Sequence, residues 1–212
     1  MNILAINTGE ATAQIALLAN GKNIYYELNA SMKHSENLLP AIEKVLTDAK
    51  VALKDLDYLA VNLGPGSFTG LRIAVATAKG LLLTNKNITP IGINTFELMA
   101  DAHFKNNSAE SANFVINGLS GFYFHSTLSK QKEILSEPCM IEKSNLTFNN
   151  IVSDTEIENI ESKVVKTSCE NLLNVALEKV NKKDFCTESE LLPLYIRPSQ
   201  AEYNLLNKNK HF

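Results

Sequence analysis

The most constraining feature of the sequence is a glycine-rich turn between a strand-like run and a helix-like run. Residues 58–63 are apolar and favour a strand, and the run after Leu71 favours a helix. Ser67 or Thr69 can serve as the N-cap of that helix. Such a junction directs backbone N–H groups and the positive end of the helix dipole at whatever lies above it, often an anion. The loop positions of interest are Gly64, Gly66, Ser67, Thr69, Gly70 and Arg72.

The loop does not match the common phosphate-binding patterns. The Walker pattern Gly-x-x-x-x-Gly-Lys-Ser/Thr is missing, and Gly64, Gly66 and Gly70 are spaced one residue too far apart for a dinucleotide fingerprint. A purely structural turn therefore explains the loop as well as a phosphate cradle does. An ATPase or kinase with this loop at the phosphates remains the alternative hypothesis.

Composition narrows the class of protein. The chain has 212 residues, which suits one domain or two small ones, and a net charge of −3 with pI near 5.8 provides no basic field for nucleic acid. Cys139, Cys169 and Cys186 are odd in number and widely spaced, which is typical of reduced thiols. We find no signal peptide pattern and no apolar run long enough to span a bilayer. We therefore expect a soluble cytoplasmic protein with no membrane association.

The first half has the pattern of a known building block. The Asn20-Gly21 pair is a strong hairpin signal between two strands, and Ser35 is a candidate N-cap for the following helix. The predicted order is strands at 3–6, 12–18 and 23–28, a helix at 36–49, a strand at 58–63 and a helix at 69–84. This βββαβα order is the signature of a ribonuclease H-like half, the unit of the actin-like and Hsp70-like superfamily, in which two such halves are normal.

The second half reads as a degenerate copy of the first. A strand at 88–93 and a helix capped by Asn94 or Thr95 come before a polar break at residues 106–108. Further strands are predicted at 113–116, 121–128, 133–141 and 163–166, followed by a helix at 170–180. We therefore predict an α/β protein with two βββαβα-type halves. The first domain is residues 1–105 and the smaller second one is 106–212, whose last residues are expected to pack back on the first.

The helix after the glycine loop is apolar on two sides. On a helical wheel, Leu71, Val75, Ala78 and Leu82 form one stripe, and a second stripe lies opposite. The sheet covers one stripe, and either the helix at 36–49 or a partner protein covers the other. The partner hypothesis predicts an interface of eight residues on the two helices: Leu38, Leu39, Ile42, Ile73, Ala76, Thr77, Gly80 and Leu83.

The sequence shows none of the usual arrangements of catalytic residues. No two histidines have metal-ligand spacing, and Ser67 has no Gly-x-Ser-x-Gly elbow around it. The actin-like fold uses a carboxylate near the end of its first strand to hold a metal or its waters, but this chain has Asn7 there. We therefore predict no catalytic, cofactor-binding or metal-binding residue.

Four segments of the chain together match one known family pattern, namely residues 3–8, 34–40, 64–81 and 192–198. In these segments the sequence resembles the bacterial tRNA threonylcarbamoyladenosine biosynthesis family TsaB, formerly called YeaZ. The resemblance implies a non-catalytic subunit that pairs with its catalytic paralogue TsaD through helices 36–49 and 69–84. It also implies contact with the ATPase TsaE and with tRNA only through the complex, and a possible homodimer alone. The chain departs from the family at Asn7 and at residues 117–120, which argues against a ligand site between the two halves.

Overall fold

A computed structural model describes residues 1–29, 32–118 and 121–196 of the chain. Two five-stranded mixed sheets form its framework, in the strand orders β3-β2-β1-β4-β5 and β10-β9-β6-β7-β8. The first sheet contains β1 Ile3–Asn7, β2 Ala13–Ala19, β3 Lys22–Leu28, β4 Tyr58–Asn62 and β5 Thr89–Ile93. The second contains β6 Ser111–Asn117, β7 Phe122–Ser129, β8 Ile134–Glu142, β9 Ile151–Ser153 and β10 Lys163–Val164. The helices are α1 His34–Ala49, α2 Phe68–Thr84, α3 Thr95–Phe104 and α4 Cys169–Lys182.

The two sheets repeat one topology. In each, a meander of three antiparallel strands is extended by two parallel strands beside its first strand. The second half is degenerate because a single 3₁₀ turn, Lys143–Asn145, stands between β8 and β9 where the first half has α1. Residues 154–162, all of them described, join β9 to β10 without a helix where the first half has α2. The fold class predicted from the sequence is confirmed.

Each half contributes one helix to the other half. The helix α3 packs its aromatic side chains, among them Phe96 and Phe104, into the core beneath β6 and β7. In return α4 buries Leu172, Leu173 and Ala176 against Ile3 and other residues of the first sheet. The helices α1 and α2 cover the opposite face of that sheet. The first sheet is therefore a middle layer whose second cover is α4, and the domain division at residues 105 and 106 stays a prediction.

A buried ion pair joins the β7–β8 turn to α3 and α4. Lys132 Nζ lies 2.7 Å from Asp101 Oδ1, both side chains are 11% exposed, and the same ammonium contacts Glu178. Asp101 Oδ2 accepts hydrogen bonds from Asn171 Nδ2 at 2.8 Å and Asn174 Nδ2 at 3.2 Å. Burial lowers the pKa of Lys132, but the hydrogen bonds that its ammonium donates to Asp101 and Glu178, together with their negative charges, outweigh burial and raise the pKa overall. The ammonium is therefore a charged clamp between the hairpin and the two helices.

Of the predictions for single turns, caps and strands, some are confirmed and others are wrong. The Asn20-Gly21 hairpin is confirmed, with φ of 53° and 72° at its two turn residues. The predicted N-cap Ser35 is wrong, because α1 begins at His34 with Lys33 as its N-cap and no side-chain capping bond. The short strand β9 was missed altogether. No helix of the described residues is long and apolar enough to cross a membrane. Some predictions fall outside the described residues. These are the docking of the last residues, the part of the family motif at Arg197 and Pro198, and the departure from the family at Leu119 and Ser120.

Candidate docking surface and cleft

The glycine loop is packed against the turn that follows β1. Ser67 N donates to Gly9 O at 2.7 Å, and Thr8 Oγ1 donates to Gly70 O at 2.6 Å. A Cβ on Gly66 would lie 2.5 Å from Gly9 O, and one on Gly70 only 1.8 Å from Thr8 O. These positions need glycine because two backbone segments touch there. The loop is thus a structural joint between the turn and α2.

Ser67 is the N-cap of α2, one of the two alternatives that the sequence left open. Its Oγ accepts a hydrogen bond from Gly70 N at 3.2 Å, while Thr69 is exposed in the first turn. The cap engages an N–H of the same helix end that an anion would need. This arrangement favours the structural interpretation of the loop over a phosphate cradle.

Asn7 is the centre of a buried polar network. Its Oδ1 accepts from Gly9 N at 2.9 Å and from Asn62 Nδ2 at 2.8 Å. Its Nδ2 donates to Glu10 Oε1 at 3.0 Å and to Gln14 Oε1 at 3.1 Å. Both acceptor sites and both donor hydrogens of the amide are therefore used. A carboxylate could not make the two donor bonds. The acceptors around the end of β1 therefore require an amide at position 7.

Replacing Asn7 with aspartate should destabilise the fold by about 2 kcal/mol, because a buried carboxylate would face the oxygens of Glu10 and Gln14 without a hydrogen to share. The urea midpoint of the variant measures the effect. Asn23→Asp, on an exposed position of β3, is the matched control and should leave the midpoint unchanged. An Asn7→Asp variant as stable as the parent would contradict this account of the network.

A cleft of about 510 Å³ lies between the two halves. Its charged lining is three carboxylates and one ammonium: Glu10, Glu27, Asp154 and Lys166. Lys166 Nζ is engaged by Asp154 O at 2.7 Å. This excess of negative charge opposes a polyphosphate. In the part of the chain that the structure describes, no group of three or more His, Cys, Asp or Glu residues is arranged to hold a metal ion.

The outer side of α2 is open. Of the two apolar stripes, the one formed by Leu71, Val75, Ala78 and Leu82 is buried in the core. On the other side Ala76 and Gly80 are exposed, and a Cβ placed on Gly80 would have no heavy atom within 4 Å. Leu83 is 64% exposed. Ile73 and Thr77 are half-buried.

The helix α1 lies beside the open side of α2 but does not cover it. Leu39 is 55% exposed and lines an apolar groove of about 510 Å³ that runs past Ile42 to Leu81 of α2. Two predicted interface residues need correction, since Leu38 and Ile42 are 1% and 2% exposed and belong to the core that supports this side from beneath. We define the α1–α2 face as the open and half-open residues Leu39, Pro40, Ile73, Ala76, Thr77, Gly80 and Leu83.

An aromatic and cationic cluster caps the first turn of α2. The Arg72 guanidinium lies 3.9 Å from the centroid of the Phe68 ring, and Arg72 Nε donates to the hydroxyl of Tyr195 at 3.0 Å. The segment carrying Tyr195 is tied to the first sheet by Leu194 N, which donates to Leu63 O at 2.7 Å. Arg72 stands out in the sequence as a loop position, but its contact with Tyr195 cannot be predicted from spacing because 123 residues separate the two.

The buried network around Asn7 was missed for the same reason. Asn62 Nδ2 also donates to Thr95 Oγ1 at 3.0 Å, which links the ends of β1, β4 and α3. An available signal was the presence of a polar residue at the end of each apolar strand, since parallel strands bring such ends together. The fold and these sites define the class: a two-lobed protein of the actin-like type with an open helical face.

Comparisons with known proteins narrow the class. A model of the family described as TsaD, tRNA N6-adenosine threonylcarbamoyltransferase, matches residues 27–121. The tRNA threonylcarbamoyladenosine biosynthesis protein TsaB of Escherichia coli K12 is 37% identical over 110 residues, 51% of this chain and 47% of that protein. Its namesake from the Buchnera aphidicola of Acyrthosiphon pisum is 24% identical over 217 residues, 99% of this chain and 92% of that protein.

Solved structures agree on the fold. YeaZ from Pseudomonas aeruginosa superposes with a TM-score of 0.78 at 19% identity, over 92% of this chain and 99% of that one. The chain is thus similar in sequence to TsaB proteins and similar in fold to YeaZ structures. It spans about half the length of the first curated relatives it matches, 47% and 56%.

Proposed function

We propose that this protein is a non-catalytic subunit in the synthesis of threonylcarbamoyladenosine in tRNA, and that it acts by binding a TsaD-type transferase in the cytoplasm. The observation that carries the proposal is the α1–α2 face, an exposed apolar side of two helices. TsaE and tRNA would then meet this chain only within the complex. The TsaB names of the relatives support the pathway.

The shape of the α1–α2 face suits a helix of a partner. Ala76 and Gly80 lack bulk, so a second helix can approach α2 closely. Leu39 and Leu83 flank them and are 55% and 64% exposed. Burying the surface that is still exposed on each leucine would contribute about 1–2 kcal/mol to association. This combination is typical of an interface core with apolar anchors at its sides.

A partner that resembles this chain favours pairing through equivalent elements. The TsaD family model matches residues 27–121, which include both α1 and α2. Two related chains can therefore join these helices about a pseudo-two-fold axis, as identical subunits do in an isologous dimer. The same geometry permits a homodimer when the transferase is absent, and the two pairings would compete for one face.

Charge on the face should abolish the complex. Gly80→Arg or Ala76→Arg should weaken binding to a co-expressed TsaD by about 100-fold or more, because an unpaired guanidinium would be buried at the contact. Affinity purification of a tagged TsaD followed by titration calorimetry measures the loss. Circular dichroism and the urea midpoint show that each variant is folded.

The matched control is Ser108→Arg, which adds the same charge at an exposed position of the α3–β6 loop and should leave the affinity unchanged. Survival of the complex in both helix variants would overturn the proposed interface. If those variants lose only self-association, the face serves a homodimer instead. Restoration of threonylcarbamoyladenosine in a bacterium depleted of TsaB tests the pathway itself.

The non-catalytic role is supported by the residues of the cleft. Asn7 uses its whole amide in buried hydrogen bonds, and the charged lining is mostly acidic. An ATPase or kinase of this fold would need a carboxylate at the end of β1, where this chain has Asn7, and cationic groups around the phosphates. Titration calorimetry of the isolated chain with Mg-ATP tests this, and micromolar binding with turnover in the absence of a partner would replace the subunit proposal with the enzyme.

A further inference from the structure

Three polar side chains from neighbouring strands meet on one face of the second sheet. His125 of β7 is the cross-strand partner of Cys139 of β8, and Asn113 of β6 lies diagonally across from His125. Cys139 Sγ is 4.0 Å from His125 Nδ1, and His125 Nε2 is 3.1 Å from Asn113 Oδ1. The order thiol, imidazole, amide is that of an activated nucleophile with its base and the group that orients the base.

The neighbours of Asn113 decide which nitrogen of His125 carries the hydrogen. Asn113 Nδ2 donates to Asn149 O at 2.8 Å, so its Oδ1 is the atom that faces the imidazole. Oδ1 is an acceptor, and it also accepts from Thr127 Oγ1 at 2.9 Å. His125 Nε2 must therefore be the N–H, which leaves the lone pair of Nδ1 directed at the Cys139 thiol. The base is thus held in the tautomer that can take a proton from sulfur.

The base is shielded while the sulfur is open. His125 is 5% exposed, and the ring of Phe148 stacks on it at 4.3 Å between centroids and 7° between planes. Burial lowers the pKa of His125, so the imidazole is neutral near pH 7. Cys139 is exposed. A small reagent can therefore reach the thiol without displacing the base.

The other two cysteines have different surroundings. Burial, together with the nearby Glu27 carboxylate, raises the pKa of the Cys169 thiol to about 11. Burial likewise raises the pKa of Cys186, which is only partly exposed. Both are internal standards for a thiol that lacks an adjacent imidazole and easy access.

We propose that Cys139 is a thiol–disulfide exchange site for low-molecular-weight disulfides, with His125 as its proton acceptor and Asn113 as the positioning residue. The Cys139 sulfur attacks one sulfur of the disulfide and its proton passes to His125 Nδ1. A mixed disulfide forms, the original S–S bond breaks, and the leaving thiolate takes the proton back from His125. Cys139 is oxidised, and the small disulfide is reduced to one free thiol and one bound half.

This site is independent of the proposed subunit function. It lies on β6, β7 and β8 of the second sheet, whereas the α1–α2 face belongs to helices on the first. Loss of exchange at Cys139 would therefore leave the proposed complex intact, and failure of the complex would leave exchange intact.

The test is exchange of the full chain with glutathione disulfide, followed by peptide mass spectrometry that resolves the three cysteines. Cys139 should acquire glutathione well before Cys186. His125→Phe keeps an aromatic ring against Phe148 but removes the base, and it should slow the reaction of Cys139 about tenfold or more. Added imidazole should restore part of the rate in His125→Ala, an effect that altered packing alone would not produce.

Asn113→Asp tests the positioning residue, because it should raise the exchange rate of Cys139 whereas His125→Phe should lower it. A carboxylate loses the donor bond to Asn149 O, which should lower the urea midpoint, but it accepts more strongly from His125 Nε2. Exchange at Cys139 in the folded variant should therefore become faster, and this gain should vanish in the Asn113→Asp, His125→Phe double variant. Asn23→Asp, the same change at an exposed position of β3 in the other sheet, is the matched control and should keep the parent rate. If His125→Phe reacts as fast as the parent, or if parent Cys139 reacts no faster than N-acetylcysteine, the proposal fails.

Discussion

Replacing Gly70 with alanine should destabilise the protein by about 3 kcal/mol, the upper range for overpacking a tight contact. The new Cβ would lie 1.8 Å from Thr8 O, which is a backbone atom and cannot rotate away as a side chain can. The turn after β1 and the start of α2 would have to separate. That movement would also break the hydrogen bond from Thr8 Oγ1 to Gly70 O. The urea midpoint measures the loss.

The same helix provides the control for this prediction. Gly80→Ala adds the same methyl group where no heavy atom lies within 4 Å, and it should stabilise the chain by about 0.5–1 kcal/mol because alanine is the better helix former. The two variants thus have opposite expected signs. Equal midpoints for Gly70→Ala and the parent would mean that the turn and the loop are not held as closely as described.

Removing the charge of Lys132 should also have a large effect. Lys132→Met should cost about 3–5 kcal/mol, the usual loss when one partner of a buried ion pair is deleted. Asp101 would keep its hydrogen bonds from Asn171 and Asn174, but its negative charge and that of Glu178 would lose their counter-ion. The measurement is the free energy of unfolding from urea titration, followed both by circular dichroism and by tyrosine fluorescence.

Lys105→Met is the matched control for the clamp. Its ammonium pairs with Glu170 of α4 at 2.9 Å, but the two side chains are 53% and 50% exposed. Water screens such a pair, so the midpoint of Lys105→Met should stay close to that of the parent. If both lysine variants lose the same stability, burial is not what gives the Lys132 pair its importance.

Local patterns were sufficient to predict the fold. The hairpin residues Asn20 and Gly21, the glycine loop and the apolar periodicity of α2 each act over a few residues, so their structural meaning can be read from the sequence. The helical period was sufficient to find the two apolar stripes of α2, and the structure shows that the stripe of Leu71, Val75, Ala78 and Leu82 is the buried one. The short strand β9 was missed because three residues, Ile151–Ser153, are too few to show a period.

The sites depended on contacts that spacing does not reveal. Leu38 and Ile42 share the apolar arc of α1 with Leu39, and only the packing of α1 against the sheet shows that the first two are in the core. Ser35 was chosen as N-cap by residue type, although the helix begins one residue earlier at His34. The cluster of Asn113, His125 and Cys139 exists only through the register of three strands, which a single sequence leaves undetermined.

The position of α4 has a consequence for the order in which the chain folds during synthesis. The first sheet is complete once β5 has been made, but the face that carries Ile3, Ala5 and Ala16 is covered by α4. Until Cys169–Lys182 leaves the ribosome, that face is an unprotected apolar surface, and such surfaces invite misassembly. The N-terminal half should therefore rely on chaperones while residues 94–182 are made, and it should reach a protease-resistant state only when α4 is available.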